Sequence, residues 1–558
     1  MTISAAFDRA AETYSARPLV LTDHGTYSYH QMLLWSKRLA SGLIASGVAR
    51  GDKVALIIGN FSEYVALKLA ISRAGATAVP INYFLRREEL RYILSQSQTT
   101  TLITMSRLRD LDYLAELSAI APGWETHGGG EALPLLRRVF VFPISPHSDP
   151  RIRTLADLEG LADPESDRGL LRQESQNDAQ ACSDIIYTSG TTGRPKGVML
   201  THDMVLRTAY ASAYTRAFED GRRILFALPM YHVFGYVECL VACSFVGGAI
   251  IPQVSFDPDK MLVAAERFDA TEIVCVPMMT LKMLEVVRHR GFHDKHLIAF
   301  FNSGGISPPT IWNDVIEQFG AAEVLTAYGM TETTASTCCT LPEGSTDRLL
   351  ATHGRLKAAG VAGDPQLGGV LAVYKTINPE TGDDLPLGVQ GELMVRGPIV
   401  TAGYYNKPVE TQEAFDRGWL HTGDIGIVDA DGYVTLLGRI KESYRCGGEM
   451  VIPGEVEEVI GRHPMVKQVL VVGVPDEKMG EVGCACVIAT DDKQPRAQEL
   501  IELCAMSLAR FKVPKHVLFV NAEDIPITAT GRAQKFKLAE IAKERLTLGA
   551  PSIEVKQR

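Results

Sequence analysis

Strand-like apolar runs alternate with amphipathic segments near the start of the chain, and this alternation narrows the possible folds more than any other feature. The pattern predicts a buried strand over residues 52–58, a helix over 61–73 and a second strand over 76–81. A strand, a helix and a strand in succession favour a parallel sheet with the helix packed on one face. We therefore expect an α/β fold of mixed β-sheets layered with helices.

The length of the chain indicates more than one domain. A chain of 558 residues exceeds what one ordinary hydrophobic core supports. The α/β pattern extends to about residue 437, and alternating short strands follow, with helices expected at about 453–462 and 497–510. A tail of this length matches a small α+β domain.

Charge, cysteine usage and hydropathy exclude several classes of protein. The net charge of −10 argues against nonspecific nucleic-acid binding, because phosphate backbones attract basic surfaces. The ten cysteines include no C-x-x-C pair, which favours reduced thiols in a cytoplasmic protein. Residues 224–256 are nearly uncharged, but proline and glycine divide them into pieces too short for a membrane span. We expect a buried strand, helix and strand there, and the N-terminus shows no signal-peptide pattern.

The loop Tyr187–Gly197 has the composition of a phosphate-binding loop. It combines hydroxyl side chains, three glycines and Lys196. Glycines allow backbone N–H groups to approach an anion closely, and the lysine adds positive charge. The loop follows an apolar run and precedes an expected helix start, a common setting for bound phosphate. Gly197 follows Lys196, so the P-loop NTPase motif is not met, and an ordinary surface loop is the alternative.

This loop resembles the phosphate-binding loop of the adenylate-forming superfamily, which includes acyl-CoA synthetases, firefly luciferase and peptide-synthetase adenylation domains. Further motifs follow in that family's order over nearly the whole chain, and the resemblance is greatest to acyl-CoA ligases. It implies that ATP is a substrate and that Thr188 also takes part in catalysis. The loop residues implied to bind the phosphates are Thr188, Ser189, Gly190, Thr191, Thr192 and Lys196.

The segment 328–333, with the sequence YGMTET, is similar to the family's adenine and metal motif. The resemblance implies that Tyr328 and Gly329 lie against adenine and that Thr331 contacts phosphate. It also implies that Glu332 helps to hold Mg²⁺ during catalysis. Mg²⁺ is a hard ion that takes carboxylate and phosphate oxygens, so a glutamate suits this role.

Two further motifs resemble the family's ribose-binding segments. In WLHTGD, residues 419–424, the resemblance implies that Asp424 accepts hydrogen bonds from both ribose hydroxyls, a role that suits a carboxylate. In GRIK, residues 438–441, it implies that Arg439 also binds ribose.

Two motifs are similar to segments that border the family's acid-binding pocket. The segment 229–235, PMYHVFG, implies that His232 lines the carboxylate and acyl pocket. The segment 301–305 implies that Gly304 lies along the adenine and acyl groups. A lone histidine in an apolar run is otherwise most often a core residue. Met278, Met279 and Thr280 are weaker candidates for the same pocket.

The resemblance also implies two domains that change orientation between reaction steps. Residues 1–440 would form the large N-terminal domain, and residues 441–558 a small mobile C-terminal domain that rotates about a hinge at Lys441. Gly447 and Gly448 lie in a segment that, in acyl-CoA synthetases, lines the tunnel for the pantetheine arm of CoA. Such domain alternation is a hinge motion.

The chain departs from the family at two positions. Arg532 occupies the place where the family usually has a lysine that bridges the substrate carboxylate and the α-phosphate. Arginine retains the charge but differs in shape and reach, so both a working substitute and a slowed adenylation stay open. Lys535 is not assigned this role. Asp364 follows Gly363 where the family commonly has arginine.

The resemblance implies ATP-dependent conversion of a carboxylic acid to acyl-AMP, with release of pyrophosphate, and then thioester formation with CoA. Three alternatives stay open: a carrier protein or an amine as acceptor, a non-carboxylate oxyanion such as nitrite as substrate for diazotisation, and a nucleotide-binding protein without turnover. Apolar runs near residues 231–236 and 276–280 favour a fatty or aryl acid as the substrate. The sequence leaves both a monomer and a homodimer open.

Overall fold

The computed structural model describes residues 1–144, 149–188, 194–292, 294–305, 311–490, 494–527 and 533–547. Its sheets are layered with helices, and a smaller α+β part follows, which confirms the predicted fold class. No helix among the described residues is both long and apolar enough to cross a membrane.

The first 188 residues contain the predicted strand, helix and strand, which are β3, α3 and β4 below. β3 and β4 pair in parallel, with Lys53 opposite Thr77. The strands are Pro18–Thr22 (β1), Gly25–Ser28 (β2), Lys53–Ile57 (β3), Thr77–Pro80 (β4), Thr99–Met105 (β5), Arg107–Leu108 (β6), Leu111–Asp112 (β7), Arg138–Phe142 (β8) and Cys182–Thr188 (β9). The helices are Ile3–Thr13 (α1), Tyr29–Ala45 (α2), Ser62–Arg73 (α3), Arg87–Gln96 (α4), Tyr113–Ile120 (α5), Trp124–His127 (α6), Leu155–Gly160 (α7) and Pro164–Ser175 (α8).

The residues from 194 to 439 complete the large N-terminal part. The strands are Lys196–Thr201 (β10), Arg223–Phe226 (β11), Ala249–Pro252 (β12), Glu272–Cys275 (β13), Ala299–Asn302 (β14), Glu323–Leu325 (β15), Ala327–Met330 (β16), Ala335–Cys339 (β17), Arg355–Leu356 (β18), Val373–Ile377 (β19), Gly391–Arg396 (β20), Phe415–Asp416 (β21), Trp419–Val428 (β22) and Val434–Arg439 (β23). The helices are His202–Thr215 (α9), Ala242–Ser244 (α10), Pro258–Arg267 (α11), Pro277–Arg290 (α12), Ile311–Phe319 (α13), Thr346–Ala351 (α14) and Pro408–Ala414 (α15). A π-helix over Phe234–Val241 lies between β11 and β12, so the strand, helix and strand predicted for this apolar stretch are confirmed.

Two large sheets form the body of this part. One has the order β15-β14-β13-β11-β12-β1-β2 and is parallel except for the pair β1 and β2. The other has the order β10-β9-β4-β3-β5-β8 and is parallel except for β9 and β10. One apolar core joins residues of both sheets to α1, α2, α3 and α9, and a second core packs α11, α12 and α13 against the first sheet. Covering by helices explains why the parallel strands are buried over most of their length.

Two smaller sheets carry Tyr328, Asp424 and Arg439, which belong to the predicted nucleotide-binding motifs. β16, β17 and β18 form one, and β19, β20, β22 and β21 form the other, with β23 paired to β22. Both contribute to a third apolar core, in which Tyr328 of β16 packs with residues of β20 and β22. The two motif-bearing sheets are therefore held together by shared hydrophobic packing.

The C-terminal part has its own sheet and its own core. The strands are Tyr444–Cys446 (β24), Glu449–Val451 (β25), Val466–Asp476 (β26), Gly480–Ala489 (β27) and His516–Phe519 (β28), and the helices are Pro453–Gly461 (α16), Ala497–Ser507 (α17) and Lys535–Thr547 (α18). Among the described residues, its core contains none before Tyr444. The change from one core to the other falls between β23 and β24, and the predicted boundary at 440/441 lies in this interval.

Candidate active site

The backbone of β16 lies unusually close to β17, and this fixes the position of Tyr328. A Cβ atom on Gly329 would lie 2.0 Å from the carbonyl oxygen of Ala335, so a side chain there cannot be accommodated without a backbone shift. The neighbouring Tyr328 is buried, and its hydroxyl donates a hydrogen bond to Oδ2 of Asp424 at 2.7 Å. Two residues of separate predicted motifs therefore meet in one place.

Asp424 and Arg439 face each other across two paired strands. They are register partners in the antiparallel pair β22 and β23, and Arg439 Nε lies 2.8 Å from Asp424 Oδ1. The Asp424 side chain is only 2% exposed. We call Tyr328, Asp424 and Arg439 the nucleotide cluster. A buried carboxylate held by a guanidinium and a phenol is fixed in orientation and suited to accept hydroxyl hydrogen bonds.

Glu332 lies buried at the turn that follows β16, next to Thr331, which is also buried. The hydroxyl of Tyr404 donates to Glu332 Oε1 at 3.0 Å. Burial raises the pKa of Glu332, whereas Tyr404, Arg439 and Lys196 act to lower it. The carboxylate therefore lies among cations that would also attract phosphate oxygens.

The surroundings of Glu332 fit a magnesium ion held mainly by nucleotide oxygens. Mg²⁺ in phosphate-handling sites is typically bound by one or two carboxylates, substrate phosphates and water. Glu332 supplies one buried carboxylate. No group of three or more histidine, cysteine, aspartate or glutamate side chains suited to a metal occurs within the described ranges. A metal at Glu332 would thus depend on the nucleotide for its other ligands.

The phosphate-loop lysine is held against Tyr404, which also binds Glu332. The ammonium of Lys196 lies 4.3 Å from the centroid of the Tyr404 ring, within the range of a cation–π interaction. Thr188 lies at the other end of the loop, and its hydroxyl lies 3.5 Å from the carbonyl oxygen of Lys196. The predicted loop residues between these ends, Ser189, Gly190, Thr191 and Thr192, lie outside the described residues.

The expectation that a helix follows the phosphate loop is wrong. The loop connects β9 and β10, which pair as an antiparallel hairpin with Lys196 opposite Thr188. Helix α9 begins only at His202, after β10. The lysine is therefore placed by a β-strand, because alternating side chains of β10 pack into the core and hold the strand in register.

The predicted acid-pocket residues lie at the start of the π-helix and near the end of β14. His232 is half-buried, and its Nδ1 accepts a hydrogen bond from the backbone N–H of Phe234 at 3.3 Å. Burial lowers the pKa of His232 to about 4, so the imidazole is neutral near pH 7. Gly304 adopts φ +87°, and a Cβ there would lie 3.8 Å from the Phe234 ring. His232 and Gly304 are thus linked through Phe234.

The three weaker pocket candidates behave differently from one another. Met278 and Met279 are half-buried, and Met279 also packs against two apolar cores. Thr280 is fully buried, and its hydroxyl donates to Asn302 Oδ1 at 3.0 Å. Thr280 therefore has a structural role in holding α12 to β14.

The hinge segment, residues 440–448, joins the two parts of the molecule. Lys441 lies in a 3₁₀ turn over Ile440–Glu442, and its pKa is lowered by burial and by the charges of Lys196 and Arg439. Gly447 and Gly448 form the turn between β24 and β25, with φ of +63° and +91°. Two successive positive φ values favour glycine at both positions of such a turn.

Two exposed ion pairs connect the C-terminal part to the N-terminal part. Arg445 Nη2 lies 2.9 Å from Glu380 Oε1, and Lys467 pairs with Glu285 on α12. Exposed pairs of this kind contribute only about 0–1 kcal/mol each to stability.

Arg532 lies outside the described residues, whereas Lys535 lies within them. Lys535 is buried, and its Nζ lies 2.6 Å from Glu457 Oε1 inside the C-terminal part. Lys535 is therefore engaged in a buried ion pair, which agrees with leaving it out of the catalytic set. Asp364, at the other departure from the family pattern, accepts from the backbone N–H of Gln366 at 2.8 Å and caps a 3₁₀ turn.

Sequence reasoning missed Tyr404, which connects the phosphate-loop lysine to the buried glutamate. Its ring contacts Lys196, and its hydroxyl binds a carboxylate 72 positions earlier in the chain. The only local signal is the aromatic pair Tyr404-Tyr405 after a glycine. Such a pair has many structural uses, so it did not identify the site.

Comparisons with known proteins identify the family of the chain. The family model described as AMP-binding enzyme matches residues 7–405, and the model described as AMP-binding enzyme C-terminal domain matches residues 455–532. The chain is 33% identical over 555 residues to the putative acyl-CoA synthetase YngI of Bacillus subtilis, covering 98% of both chains. It is 30% identical over 520 residues to the mitochondrial medium-chain acyl-CoA ligase ACSF2 of Danio rerio, covering 92% of this chain and 83% of that protein.

Solved structures with the same fold cover almost the whole chain. The ATP-bound MatB structure from Rhodopseudomonas palustris has a TM-score of 0.80 and 28% identity, and covers 98% of this chain and 99% of that one. The anthranilate CoA ligase AuaEII in complex with anthranoyl-AMP has a TM-score of 0.83, covers 98% of both chains and shares 22% identity, so that likeness concerns the fold alone. With the family model spanning most of its length, the chain belongs to the AMP-binding enzymes of the adenylate-forming superfamily.

Proposed function

We propose that this enzyme converts a carboxylic acid and ATP to acyl-AMP and pyrophosphate, and then transfers the acyl group to CoA. The meeting of Tyr328, Asp424 and Arg439 is the observation that carries the proposal, because a buried carboxylate fixed in this way suits a role as acceptor for the hydroxyls of a nucleoside. The relatives named as acyl-CoA synthetases and ligases support the acid and CoA as the other substrates.

In the first step, a carboxylate oxygen of the acid would attack the α-phosphorus of ATP. The bond from that phosphorus to the bridging oxygen breaks, and pyrophosphate leaves with the electron pair. Asp424 would accept hydrogen bonds from the ribose hydroxyls and Arg439 would also bind ribose, while Lys196 would offset phosphate charge. Glu332 would hold Mg²⁺, which supplies charge neutralisation for the polyphosphate.

In the second step, the thiol sulfur of CoA would attack the acyl carbon of the adenylate. The bond from that carbon to the phosphate oxygen breaks, AMP leaves, and the thiol proton is lost to solvent. We propose that residues 441–558 form a domain that rotates about Lys441 between the steps, as the separate hydrophobic cores would allow. Gly447 and Gly448 would then line the path of the pantetheine arm.

The acid itself is proposed to be a fatty or aryl acid. Phe234 and Phe301 pack edge to face with ring centroids 5.4 Å apart, next to the positions of His232 and Gly304. His232, which is neutral at pH 7, would not attract a second carboxylate by charge. The relative named as a medium-chain acyl-CoA ligase supports medium-chain acids as the first group to test.

Pyrophosphate release by the purified full-length protein tests this proposal. The assay uses saturating MgATP, a panel of aliphatic and aryl acids, and reactions with and without CoA, and acyl-AMP and acyl-CoA are identified by mass spectrometry. We expect acid-dependent pyrophosphate release and conversion of acyl-AMP to acyl-CoA when CoA is present. Absence of pyrophosphate release with every acid would refute acid activation, and release without any thioester would refute CoA as the acceptor.

A further inference from the structure

The π-helix that follows His232 carries a buried carboxylate with no role in the proposed chemistry. Glu238 lies in the middle of this helix and is only 1% exposed. A π-helical segment is uncommon and often marks a functional site. A carboxylate in such a position requires charged or hydrogen-bonding partners, because burying it alone is very costly.

Glu238 is held by groups from several distant segments. Lys357 Nζ lies 3.0 Å and 3.2 Å from its two oxygens, and Arg216 Nη1 lies 3.5 Å from Oε2. The backbone N–H of Ser336 donates to Oε1 at 3.0 Å, and the Ser336 hydroxyl binds the same oxygen. Burial alone would raise the pKa of Glu238, but Lys357 and Arg216 outweigh it and lower the pKa.

Through Ser336, Glu238 reaches the strand that positions the nucleotide cluster. Ser336 is the register partner of Gly329 in the pair β16 and β17. A Cβ on Gly329 would lie 2.4 Å from the Ser336 Cα, so the two backbones are in close contact. A shift of Ser336 would therefore move Gly329 and the adjacent Tyr328.

The same helix reaches the acid pocket at its other end. Phe234 is its first residue, lies next to Gly304 and packs against Phe301. Arg216, which binds Glu238, also places its guanidinium 4.4 Å from the centroid of the Phe301 ring. The contacts of Glu238 thus extend from the wall of the acid pocket to the strand that carries Tyr328.

We infer that Glu238 is a positioning residue that aligns the acid pocket with the nucleotide cluster by fixing the π-helix to β17. The inference rests on the proposed function, since it concerns the approach of the acid to ATP. Attack requires the reacting atoms to lie about 3–3.5 Å apart, and a misplacement of about 1 Å can cost on the order of 100-fold in rate. The role is therefore expected in the rate of adenylation rather than in the affinity for either substrate.

Glu272 provides a matched control within the same buried ionic network. It lies on β13, is fully buried, pairs with Arg216, and accepts from Arg222 Nε at 2.8 Å. Within the described residues, its ion-pair partners Arg216 and Arg222 both lie outside β17. Glu272→Gln removes the same charge from a similarly buried site, but leaves the bond between Glu238 and Ser336 in place.

The test compares Glu238→Gln, Ser336→Ala and Glu272→Gln in the full-length protein. Three quantities are measured: the single-turnover rate of acyl-AMP formation, the separate Kd values for ATP and for the acid, and the Tm. We expect Glu238→Gln to lower the single-turnover rate about 100-fold while both Kd values change less than about 3-fold. Ser336→Ala removes one hydrogen bond to a charged group and should lower the rate about 10-fold. Glu272→Gln should lower the Tm but keep the rate within about 3-fold of the original.

The inference is overturned if Glu238→Gln retains the original rate, or if Glu272→Gln lowers the rate as much as Glu238→Gln does. If Glu238→Gln fails to fold, Ser336→Ala decides, because it changes no charge, and an unaltered rate in that variant overturns the inference. Failure of the proposed function gives a different result. In that case the unmodified protein forms no acyl-AMP with any acid, and the inference falls with it.

Discussion

The nucleotide cluster and the hinge segment are adjacent in sequence but hold their charged groups in opposite ways. Asp424 is almost fully buried, and Arg439, the last residue of β23, faces it across the strand pair. Two residues later, Lys441 is exposed and lies in a short 3₁₀ turn. A cross-strand ion pair and a buried phenol hold the nucleotide cluster in a fixed geometry, whereas the Lys441 side chain is exposed to solvent.

This contrast suits an enzyme that must keep one substrate still while another part of the molecule moves. Residues of the nucleotide cluster gain from fixed geometry, since preorganised groups need no rearrangement during reaction. Hinge residues instead absorb changes in φ and ψ, and these positions need not be tightly packed. We therefore expect substitutions in the cluster to affect nucleotide use, and substitutions in the hinge segment to affect the balance between the two proposed steps.

The largest effect is expected from Asp424→Asn. The amide would lose an acceptor for ribose and leave Arg439 without its buried partner. Each lost hydrogen bond between a ribose hydroxyl and the charged carboxylate costs about 1.5 kcal/mol, so loss of both should lower kcat/KM for ATP about 100-fold. The pyrophosphate assay at varied ATP measures this change. The control is Asp416→Asn, because its side chain is 59% exposed and pairs only loosely with Arg417. Equal effects of the two substitutions would contradict a special role for the cluster.

A proline at the hinge should separate the two proposed half-reactions. Lys441→Pro fixes φ near −65° and so restricts the rotation that the second orientation requires. We expect one half-reaction to be retained within about 3-fold while the other falls on the order of 100-fold, because domain positioning governs only the blocked step. Acyl-AMP formation and CoA-dependent discharge of acyl-AMP are measured separately. Lys441→Ala removes the charge but leaves φ free, so a similar split in that variant would show that charge, and not rotation, is responsible.

A smaller effect is expected from Tyr404→Phe, which tests a contact between the phosphate loop and the cluster. The ring that contacts Lys196 is kept, and the hydrogen bond to Glu332 is lost. Removing a hydrogen bond to a charged group costs about 1.5 kcal/mol, so KM for MgATP should rise about 10-fold. Tyr405→Phe is the matched control, because the Tyr405 hydroxyl binds Gln98 on the surface.

The same variant has an expected pH dependence. Burial raises the pKa of Glu332, and the hydrogen bond from Tyr404 opposes that rise. Loss of the bond should raise the pKa of Glu332 further. As the pH is lowered, Tyr404→Phe should therefore lose its metal-dependent activity at a higher pH than the original protein does. Profiles of kcat/KM against pH at two Mg²⁺ concentrations measure this shift. An unchanged acidic limb would show that Glu332 does not titrate in the active enzyme.

Much of the fold follows from local sequence patterns. The helix Ser62–Arg73 and its flanking strands are apolar and bounded by turn residues, so their type and order could be predicted. The polar stretch that contains α8 shows how such reasoning is limited. Its composition, rich in Asp, Ser and Gly, favours a surface loop, yet Asp163 caps a helix that has Pro164 at its first position. The capping signal was present but was outweighed by the polar composition.

The site was less accessible to sequence reasoning, because its contacts join distant segments. The family resemblance identified Asp424 and Arg439, and their pairing follows from the register of β22 and β23. Glu238 lies 98 positions before Ser336, and nothing in either local sequence indicates that they meet. The phosphate loop illustrates a further limit: glycine and hydroxyl content predicts anion binding, but not whether a strand or a helix follows.

The smallest expected effect concerns His232, which is predicted to line the acid pocket and lies outside the nucleotide cluster and the hinge segment. Burial lowers its pKa to about 4, whereas an unfolded histidine has a pKa of about 6.5. A histidine whose pKa is lowered in the folded state contributes its full stabilisation at pH values above its unfolded pKa. This contribution is lost as the pH falls from 6.5 towards 4. At pH 5.5 the loss is about 1 kcal/mol after allowance for the partial exposure of the ring.

The free energy of unfolding of the original protein should fall between pH 7 and pH 5.5. In His232→Gln this fall should be smaller by about 1 kcal/mol. Urea denaturation at the two pH values measures the difference. His289→Gln is the control, because that histidine lies in the exposed last turn of α12. An identical pH dependence in the original protein and in His232→Gln would mean that His232 is protonated as readily in the folded state as in the unfolded chain. The acid pocket would then be more hydrated than the nucleotide cluster, and His232 would be charged, and attract a second carboxylate, at mildly acidic pH.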